Sequence, residues 1–503
     1  MRDGHNTIAS CSFQFALMSY QIPFIFCLLV CVAATCFVQG QETSPPTAGD
    51  IIFENKTYTA EDGRLRNYEV GTLYVKENRS DPQSRLIGLG FARYRAKQAT
   101  GAPVFFLPGG PGSSFLEGNP PTLAALVRDR CDVIFVDQRG YSRNGAFLEN
   151  IPFEEIVLPA DADLDDRVAF FAKYTEAVVD HYQATDVDLS GYNILECIED
   201  VNELRAALGY AKITLRGQSF GSQWSFGIMR QYPETVERAL LSGVEPLNNA
   251  YDMPSHVFAA LQRIWKSIDK DPRFHAYLPE GGMQEAAEVV LQRLESEPIK
   301  LFVEGESKPI RILGPDDFPF TSPRQILELY HGQTSGWAAA RFLGRPSKTL
   351  ISPLIDSSLH ATPERLETLW HDPAVRFTTR QNFARYMATA TIWPSPDVGD
   401  EFRTPKKCDI PVVFVNGDWD IKTPIENMYE IADYFPNSHQ VIVHQAGHGT
   451  ITSRMQKQHP DFIAQLVEFL ETGKMDLLPA EIQVEKFRRF TPPKFAIDPA
   501  KTK

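Results

Sequence analysis

A glycine-flanked serine between a strand pattern and a helix pattern constrains this chain more than any other stretch. Residues 212–216 are typical of a buried strand, and a helical pattern begins directly after the motif GQSFG at 217–221. Glycines two positions before and after a serine allow the sharp turn that lifts its hydroxyl out of a sheet. We therefore identify Ser219 as the candidate nucleophile. A chain of 503 residues can carry this pattern by chance, so a base, an acid and oxyanion donors must be found elsewhere.

The length, hydrophobic fraction and net charge of the chain limit the class of protein to which it can belong. The chain has 503 residues, of which 43% are hydrophobic, and a formal net charge of −14. This length suits one large domain with a substantial insertion, or two to three ordinary domains. The acidic charge argues against a nucleic-acid partner and gives no reason to expect binding to an anionic membrane. We expect a globular protein, and the sequence leaves its oligomeric state open.

The first 40 residues differ in composition from the rest. Residues 22–38 are almost wholly apolar and end in small residues, which is typical of a secretory signal cleaved near Gln41. We expect a secreted, periplasmic or envelope-associated protein with no stable membrane insertion after cleavage. An uncleaved anchor and a lipid on Cys36 are the alternatives. Four of the seven cysteines lie in this leader and the other three form no metal-spaced set, so we expect neither metal nor cofactor.

Short apolar runs alternate with helix patterns in two parts of the chain. The runs at 103–107 and 133–136 are typical of parallel strands covered on both faces, and 68–95 is typical of an antiparallel hairpin. We therefore predict an α/β fold with a mostly parallel central sheet, helices on both faces and an inserted helical cap. The predicted divisions are 1–40 for the signal peptide, 41–246 for the first part of the core, 247–405 for the cap, 406–475 for the second part of the core and 476–503 for a tail.

A histidine between two glycines is the best candidate for the base. His448 follows an apolar strand pattern, which places its imidazole on a bare loop at the carboxyl end of the sheet. Asp418 and Asp420 share the loop after an earlier strand, and either could hold the imidazole in the required tautomer. Periodicity does not choose between them.

Glycines and a glutamate complete the predicted site. Gly109 and Gly110 follow a predicted strand, where a backbone N–H should meet that of Phe220 to form an oxyanion hole. Glu245 follows the strand after the nucleophile helix, at the same sheet edge and just where the cap begins. A carboxylate there could bind a cationic group of a ligand, such as an α-amine, because an unpaired buried cation is unstable. The alternative is that Glu245 is solvated or bonds to the loop before Pro246.

Five motifs in order give the chain a family resemblance. They are GGPG at 109–112, DQRG at 137–140, LRAALGYAKITLRGQSFG at 204–221, GDWDIKTP at 417–424 and QAGHG at 445–449. In these motifs the sequence resembles the proline iminopeptidase and tripeptidyl aminopeptidase group of α/β-hydrolases. The resemblance runs from about residue 71 to residue 470 and excludes the cap.

The resemblance implies a fold, an activity and a role for each matched residue. The fold is that of the α/β-hydrolases, and the activity is a cofactor-free serine exopeptidase that removes short N-terminal pieces or prolyl residues through an acyl-enzyme. Ser219 would be the nucleophile, His448 the base and Asp420 the orienting acid, since it is the second acidic position of GDWD. Gly110 and Phe220 would supply the oxyanion N–H groups.

Two departures from the family pattern bear on specificity. Pro108 stands where iminopeptidases often carry histidine, and the sequence YSRN at 141–144 replaces their run of small residues. Both place the chain nearer the tripeptidyl aminopeptidases and argue against strict prolyl specificity. A carboxyl-ester hydrolase on the same triad is the first alternative, and a non-catalytic binding protein is the second. In either enzyme the partner is a peptide or small-molecule substrate.

Overall fold

The computed structural model describes most of the chain beyond the leader. The described residues are 45–59, 63, 65–116, 122–142, 145–153, 156–159, 161–302, 311–334, 336, 349–378, 380–485 and 490–496. The predicted signal peptide, residues 143–144 and part of the predicted tail lie outside them. No helix in these ranges is long and apolar enough to cross a membrane.

A mixed sheet of ten strands forms the centre of the described structure. The strands in these residues are β1 (Ile51–Thr59), β2 (Leu65–Lys76), β3 (Leu86–Tyr94), β4 (Val104–Leu107), β5 (Val133–Val136), β6 (Ile213–Gln218), β7 (Val236–Ser242), β8 (Ile299–Leu301), β9 (Arg311–Leu313), β10 (Val412–Gly417), β11 (Ser438–His444) and β12 (Glu481–Gln483). The sheet order is β1-β2-β3-β5-β4-β6-β7-β10-β11-β12. The pairs from β1 to β5 are antiparallel, and every pair from β5 to β12 is parallel.

The parallel strands are apolar on both faces. In β4, Val104 and Phe106 face one apolar core, while Phe105 and Leu107 face the other. The same alternation continues through β5 and β10. Because helices cover both faces, these strands read as continuous apolar runs, which confirms the parallel strands predicted from the sequence.

Helices flank the sheet and build the insertion. The helices of the described residues are α1 (Thr122–Val127), α2 (Leu164–Gln183), α3 (Ile194–Ala207), α4 (Phe220–Gln231), α5 (Pro254–Asp269), α6 (Gly282–Ser296), α7 (Pro323–Tyr330), α8 (Ile351–Leu359), α9 (Pro363–His371), α10 (Arg380–Ala390), α11 (Asp400–Arg403), α12 (Ile425–Ala432), α13 (Ser453–Gln458) and α14 (Pro460–Thr472). Helices α3, α4 and α12 pack on one face of the sheet, and α1 and α14 pack on the other. The layered α/β architecture follows the prediction.

Helix α3 begins at a side-chain cap and supports the serine-bearing segment. The side chain of Asn193 accepts a hydrogen bond from the Glu196 N–H at 3.0 Å, which satisfies a free donor of the first turn. The carboxylate of Glu196 does not complete a capping box, because it accepts from the N–H of Arg79 at 2.9 Å. Trp224 of α4 donates its indole N–H to the carbonyl of Cys197 at 2.9 Å. The helix before the serine and the helix after it are therefore bonded together.

The insertion has a core of its own. Helices α5, α6 and α7 and the antiparallel pair β8–β9 share one apolar cluster, which Trp419 joins from the loop after β10. Helix α8 differs, since Ile351, Leu354 and Ile355 pack into the core on the α3 face of the sheet. The β8–β9 pair was not predicted, because a strand of three residues is too short to show an alternating apolar pattern.

Two strands at the sheet edges were also not predicted. β1 pairs with β2 ahead of the predicted hairpin, with Ile51 opposite Leu73. β12 lies within the predicted tail and pairs in parallel with β11, with Glu481 opposite Ile442. The tail therefore contributes a strand to the sheet.

Candidate active site

The serine turn between β6 and α4 has the geometry that its glycines predict. Ser219 has φ 56° and ψ −129°, a conformation that costs a non-glycine residue free energy, and its N–H donates to the carbonyl of Ser242 at 3.0 Å. A Cβ at Gly217 would lie 2.2 Å from the Gly221 oxygen, and one at Gly221 would lie 2.2 Å from the Leu107 oxygen. Only glycine fits at either position, so the motif is required by close packing of the backbone.

Asp420 is the acid that the structure brings to His448. The Nδ1 atom of His448 lies 2.9 Å from Oδ2 and 3.2 Å from Oδ1 of this fully buried carboxylate. Backbone N–H groups of Lys422 and Thr423 donate to Asp420 Oδ1 at 2.9 and 3.1 Å. A buried carboxylate requires such partners. With Nδ1 donating to Asp420, the Nε2 atom of His448 is available to accept a proton.

Thr423 is a site residue that the sequence analysis missed. Its buried hydroxyl donates to Asp420 Oδ2 at 2.7 Å and lies 3.1 Å from His448 Nδ1. The hydroxyl therefore joins the acid and the base in one hydrogen-bonded group. The sequence feature that could have identified Thr423 was its position three residues after Asp420 in the motif GDWDIKTP.

Replacement of Thr423 by valine, which keeps the shape and removes the hydroxyl, is expected to lower kcat about tenfold to hundredfold. A hydrogen bond to a charged group contributes roughly 1.5–3 kcal/mol, and its loss would loosen the imidazole. KM should change little, since Thr423 touches the acid and the base. Thr423→Ser should restore most of the loss, and a wild-type kcat in Thr423→Val would show that the hydroxyl has no positioning role.

The end of β7 brings the serine and the histidine to the same place. Ser242 accepts the Ser219 N–H, and the next residue, Gly243, passes directly beside the imidazole. A Cβ at Gly243 would lie 3.3 Å from His448 Cε1 and 3.0 Å from Thr423 Oγ1. The candidate nucleophile, base and acid therefore meet at the carboxyl edge of β6, β7 and β10.

Asp418 has a different partner from Asp420. Its Oδ2 atom lies 3.0 Å from His444 Nδ1, and its Oδ1 atom accepts the Gln445 N–H at 2.7 Å. The hydrogen bond that His444 donates to Asp418 raises the pKa of His444. Trp419, between the two aspartates, is buried in the core of the insertion. The structure thus separates two carboxylates that periodicity left equivalent.

The predicted oxyanion loop lies against the serine. A Cβ at Gly109 would lie 3.7 Å from Ser219 Oγ, and Gly110 has φ 116°, which favours glycine. The amide of Gln138 holds this loop, since Nε2 donates to the Gly109 oxygen at 2.9 Å and Oε1 accepts the Gly112 N–H at 2.6 Å. The glutamine of the DQRG motif therefore fixes the loop that follows β4.

Two other predicted residues have defined surroundings. Phe220 is the first residue of α4, where backbone N–H groups lack helical partners, and its buried ring stacks on Trp224 at 5.8 Å. Arg139 is fully buried and pairs with Asp200 at 2.5 Å. The arginine of the DQRG motif is therefore tied to an acid of α3.

Glu245 lies at the same sheet edge with two further acids near it. Its N–H donates to Ser222 Oγ at 2.9 Å, and its side chain is half-buried. Loss of hydration, followed by the charges of Asp252 and Asp356, raises the pKa of Glu245 well above its ordinary value. Within the described residues no Lys, Arg or His nitrogen lies within 4.0 Å of these three carboxylates. Sequence reasoning named Glu245 and missed the other two acids.

Metal binding has no visible basis in the described ranges. No group of three His, Cys, Asp or Glu side chains there could hold a metal ion. A cavity of about 660 Å³ lies beside α4 and the segment 403–411. It does not include the serine, histidine or aspartate described above, so the chemistry belongs to the sheet edge.

Comparisons with known proteins agree with this arrangement. A family model for the alpha/beta hydrolase fold matches residues 102–273, and a model for TAP-like proteins matches residues 372–478. The first range contains the serine turn and its glycine loop, and the second contains the loops of Asp420 and His448. The two halves of the candidate site are therefore matched by separate models.

Individual relatives match either a shorter part of the chain or most of it at low sequence identity. Serine protease Hip1 of Mycobacterium tuberculosis and of Mycobacterium bovis is 29% identical over 190 residues, which are 35% of this chain and 36% of the relative. The match thus spans about a third of those relatives' own length. A solved serine hydrolase from Cycloclasticus zankles is 12% identical over 80% of this chain and 97% of its own, with a TM-score of 0.34. A solved esterase from Thermogutta terrifontis is 16% identical over 79% and 97%, with a TM-score of 0.33.

Proposed function

Because this chain is an α/β-hydrolase of the aminopeptidase group, we propose that it is a serine exopeptidase that releases short pieces from the amino ends of peptides. The observation that carries the proposal is the contact of His448 with buried Asp420 at the sheet edge where Ser219 stands. The apolar leader at 22–38 supports export, and we propose that the enzyme acts outside the cytoplasm.

The proposed reaction uses each of these groups in turn. His448 Nε2 takes the proton of Ser219 as the hydroxyl oxygen attacks the peptide carbonyl, and Asp420 stabilises the resulting imidazolium. The backbone N–H groups of Gly110 and Phe220 donate hydrogen bonds to the carbonyl oxygen as it becomes negatively charged. The imidazolium then gives its proton to the leaving amine, which leaves the acyl group on the serine. A water molecule, deprotonated by His448, hydrolyses this ester and restores the enzyme.

Glu245 supplies the means to recognise a free amino end. Its carboxylate lies at the edge where Ser219 and His448 meet, and no Lys, Arg or His nitrogen of the described residues lies within 4.0 Å of it. An ammonium group would provide a countercharge and would be bound in its ionised form. Glu245 would therefore position the substrate by its first residue.

Replacement of Glu245 by glutamine is expected to lower kcat/KM for free-amine peptides by roughly 2 to 4 kcal/mol, because the α-ammonium loses its partner. Turnover of N-acetylated peptides and simple esters should change little. Glu234→Gln, at an exposed position near β7, is the matched control. Equal losses on both kinds of substrate would instead assign Glu245 to the fold.

A paired substrate panel tests the function itself. Peptides with free amines, the same peptides with acetylated amines, and simple carboxyl esters are incubated with the purified enzyme, and the products are read by mass spectrometry. The proposal expects short amino-terminal fragments from the free peptides and little from the acetylated ones. Cleavage of esters without any cleavage of free-amine peptides would favour the ester hydrolase and overturn the exopeptidase.

A further inference from the structure

A cavity lies at the amino edge of the sheet, away from the candidate triad. It encloses about 660 Å³ between the second half of α4, the end of α12 and the residues that lead into β7 and β10. Val236, which lines the cavity, begins β7, and Ser242, which accepts the Ser219 N–H, ends that strand. The length of β7 places the two sites about 20 Å apart. The cavity is therefore separate from the site that holds the nucleophile.

The wall of this cavity is largely apolar. Its buried apolar side chains come from α4, α12 and the segments beside them, and they are Phe226, Met229, Val236, Leu247, Ile431 and Phe435. Pockets for small organic molecules have volumes of about 300–1,000 Å³ and walls of this kind. The size and the lining therefore suit the apolar body of a small molecule.

Basic side chains outnumber acidic ones on the same wall. Four basic and two acidic side chains line the cavity, namely Arg230, Arg403, Lys406, Lys407, Glu237 and Asp409. The whole chain, in contrast, has a formal net charge of −14. The cavity is thus a locally basic region of an acidic protein, which favours an anionic ligand.

Arg230 differs from the other basic residues of the cavity in its partners. The other three pair with acids, as Lys406–Glu401, Lys407–Asp409 and Arg403–Asp400. The guanidinium of Arg230 instead donates to the backbone carbonyls of Phe402 and Thr404 at 2.8 and 3.0 Å. Across the described ranges, no carboxylate oxygen lies within 4.0 Å of this guanidinium.

The Nε atom of Arg230 is available to a ligand. The described residues give Nη1 and Nη2 carbonyl partners and give Nε none. Loss of hydration lowers the pKa of Arg230, and the charge of Glu401, which itself lies 3.0 Å from Lys406, offsets this only in part. A carboxylate at Nε would supply the countercharge through a charge-assisted hydrogen bond.

The end of α4 opposes an anion only weakly. Arg230 lies in the last turn of this helix, where the helix dipole carries a partial negative charge. That partial charge acts within one turn and is weaker than a hydrogen bond between two charged groups. The guanidinium therefore decides the sign of the ligand.

We propose that this cavity binds a small amphipathic carboxylate, with its single charge on Arg230 and its apolar chain or ring against α4 and α12. One unpaired cation matches one negative charge, and the apolar wall removes the rest of the ligand from water. The catalytic residues take no part, so the inference stands apart from the proposed exopeptidase function.

The affinities of matched ligands for the purified protein test this inference. Decanoate is the probe, and the comparison ligands are decanol without a charge, decylamine with the opposite charge and acetate without an apolar chain. Calorimetry gives each Kd at concentrations below micelle formation. Decanoate should bind about tenfold or more tightly than each of the other three. Arg230→Gln should weaken decanoate about tenfold, whereas Arg376→Gln, an exposed change in the insertion, should leave its Kd unchanged.

The thiol of Cys408 provides a second measurement. It is half-buried and lines the cavity, whereas Cys131 and Cys197 are buried elsewhere. Decanoate should slow the alkylation of Cys408 by iodoacetamide, as located by mass spectrometry, and should slow it less in Arg230→Gln. An unchanged rate with decanoate bound would place the ligand outside the cavity and overturn the inference.

The remaining outcomes also decide the matter. Decanoate that binds no more tightly than decanol, or not at all, would overturn the inference, and so would tighter binding of decylamine. An unchanged decanoate Kd in Arg230→Gln would overturn the role of the guanidinium and the proposal with it. If that variant does not fold, the ligand comparison and the protection of Cys408 in the wild-type protein carry the test.

Discussion

Ser219→Ala is expected to lower kcat on the order of 10⁶-fold, because it removes the hydroxyl that would form the acyl-enzyme. The fold should persist, since alanine keeps the Ser219 N–H bond to Ser242 and adds no atoms to the tight turn. The measurement is kcat on a free-amine peptide, with the melting temperature as a check of folding.

Chemical labelling provides the second measurement for this variant. A serine-directed phosphonate should modify the wild-type protein at Ser219, as located by mass spectrometry, and should leave Ser219→Ala unmodified. Ser296→Ala, an exposed change on α6, is the control and should react normally. Activity of Ser219→Ala within tenfold of wild type would rule this serine out as the nucleophile.

Asp420→Asn is expected to cost on the order of 10⁴ in kcat, and Asp418→Asn far less. The asparagine amide would donate towards His448 Nδ1, 2.9 Å away in the native protein, and would place the imidazole proton on Nε2. The serine would then lose its base. Asp418 contacts His444, so its amide should disturb only the end of β11.

The paired variants control for each other, since they make the same chemical change two residues apart. Both should bind a substrate analogue with similar affinity, because neither carboxylate is placed against the substrate. A larger loss of kcat in Asp418→Asn than in Asp420→Asn would transfer the orienting role to Asp418.

The serine turn could be predicted because backbone packing leaves its sequence little choice. Gly217 and Gly221 each face a backbone oxygen at a distance that excludes any Cβ, so the local sequence records the local structure. The helix from Asn193 was predictable for a similar reason, since its cap lies within four residues of sequence. Such features depend on neighbours along the chain.

Other parts of the site depend on contacts between distant segments. Asp418 and Asp420 occupy one loop, and what separates them is the burial of Trp419 among residues of the insertion. Asp356 approaches Glu245 only through the packing of α8, which no periodicity reveals. The edge strands β1 and β12 escaped prediction because their neighbours in the sheet, and not their own patterns, define them.

The burial of Trp419 has a consequence for how this enzyme could evolve new specificities. Its indole belongs to the insertion's core, while the next residue is the acid that contacts His448. Arg263 of α5 reinforces the connection by donating to the Asp418 carbonyl at 2.6 Å. Replacement of much of the insertion would therefore displace Asp420 as well. Substitutions outside the core around Trp419 leave that anchor intact, so the insertion can change there without displacing Asp420.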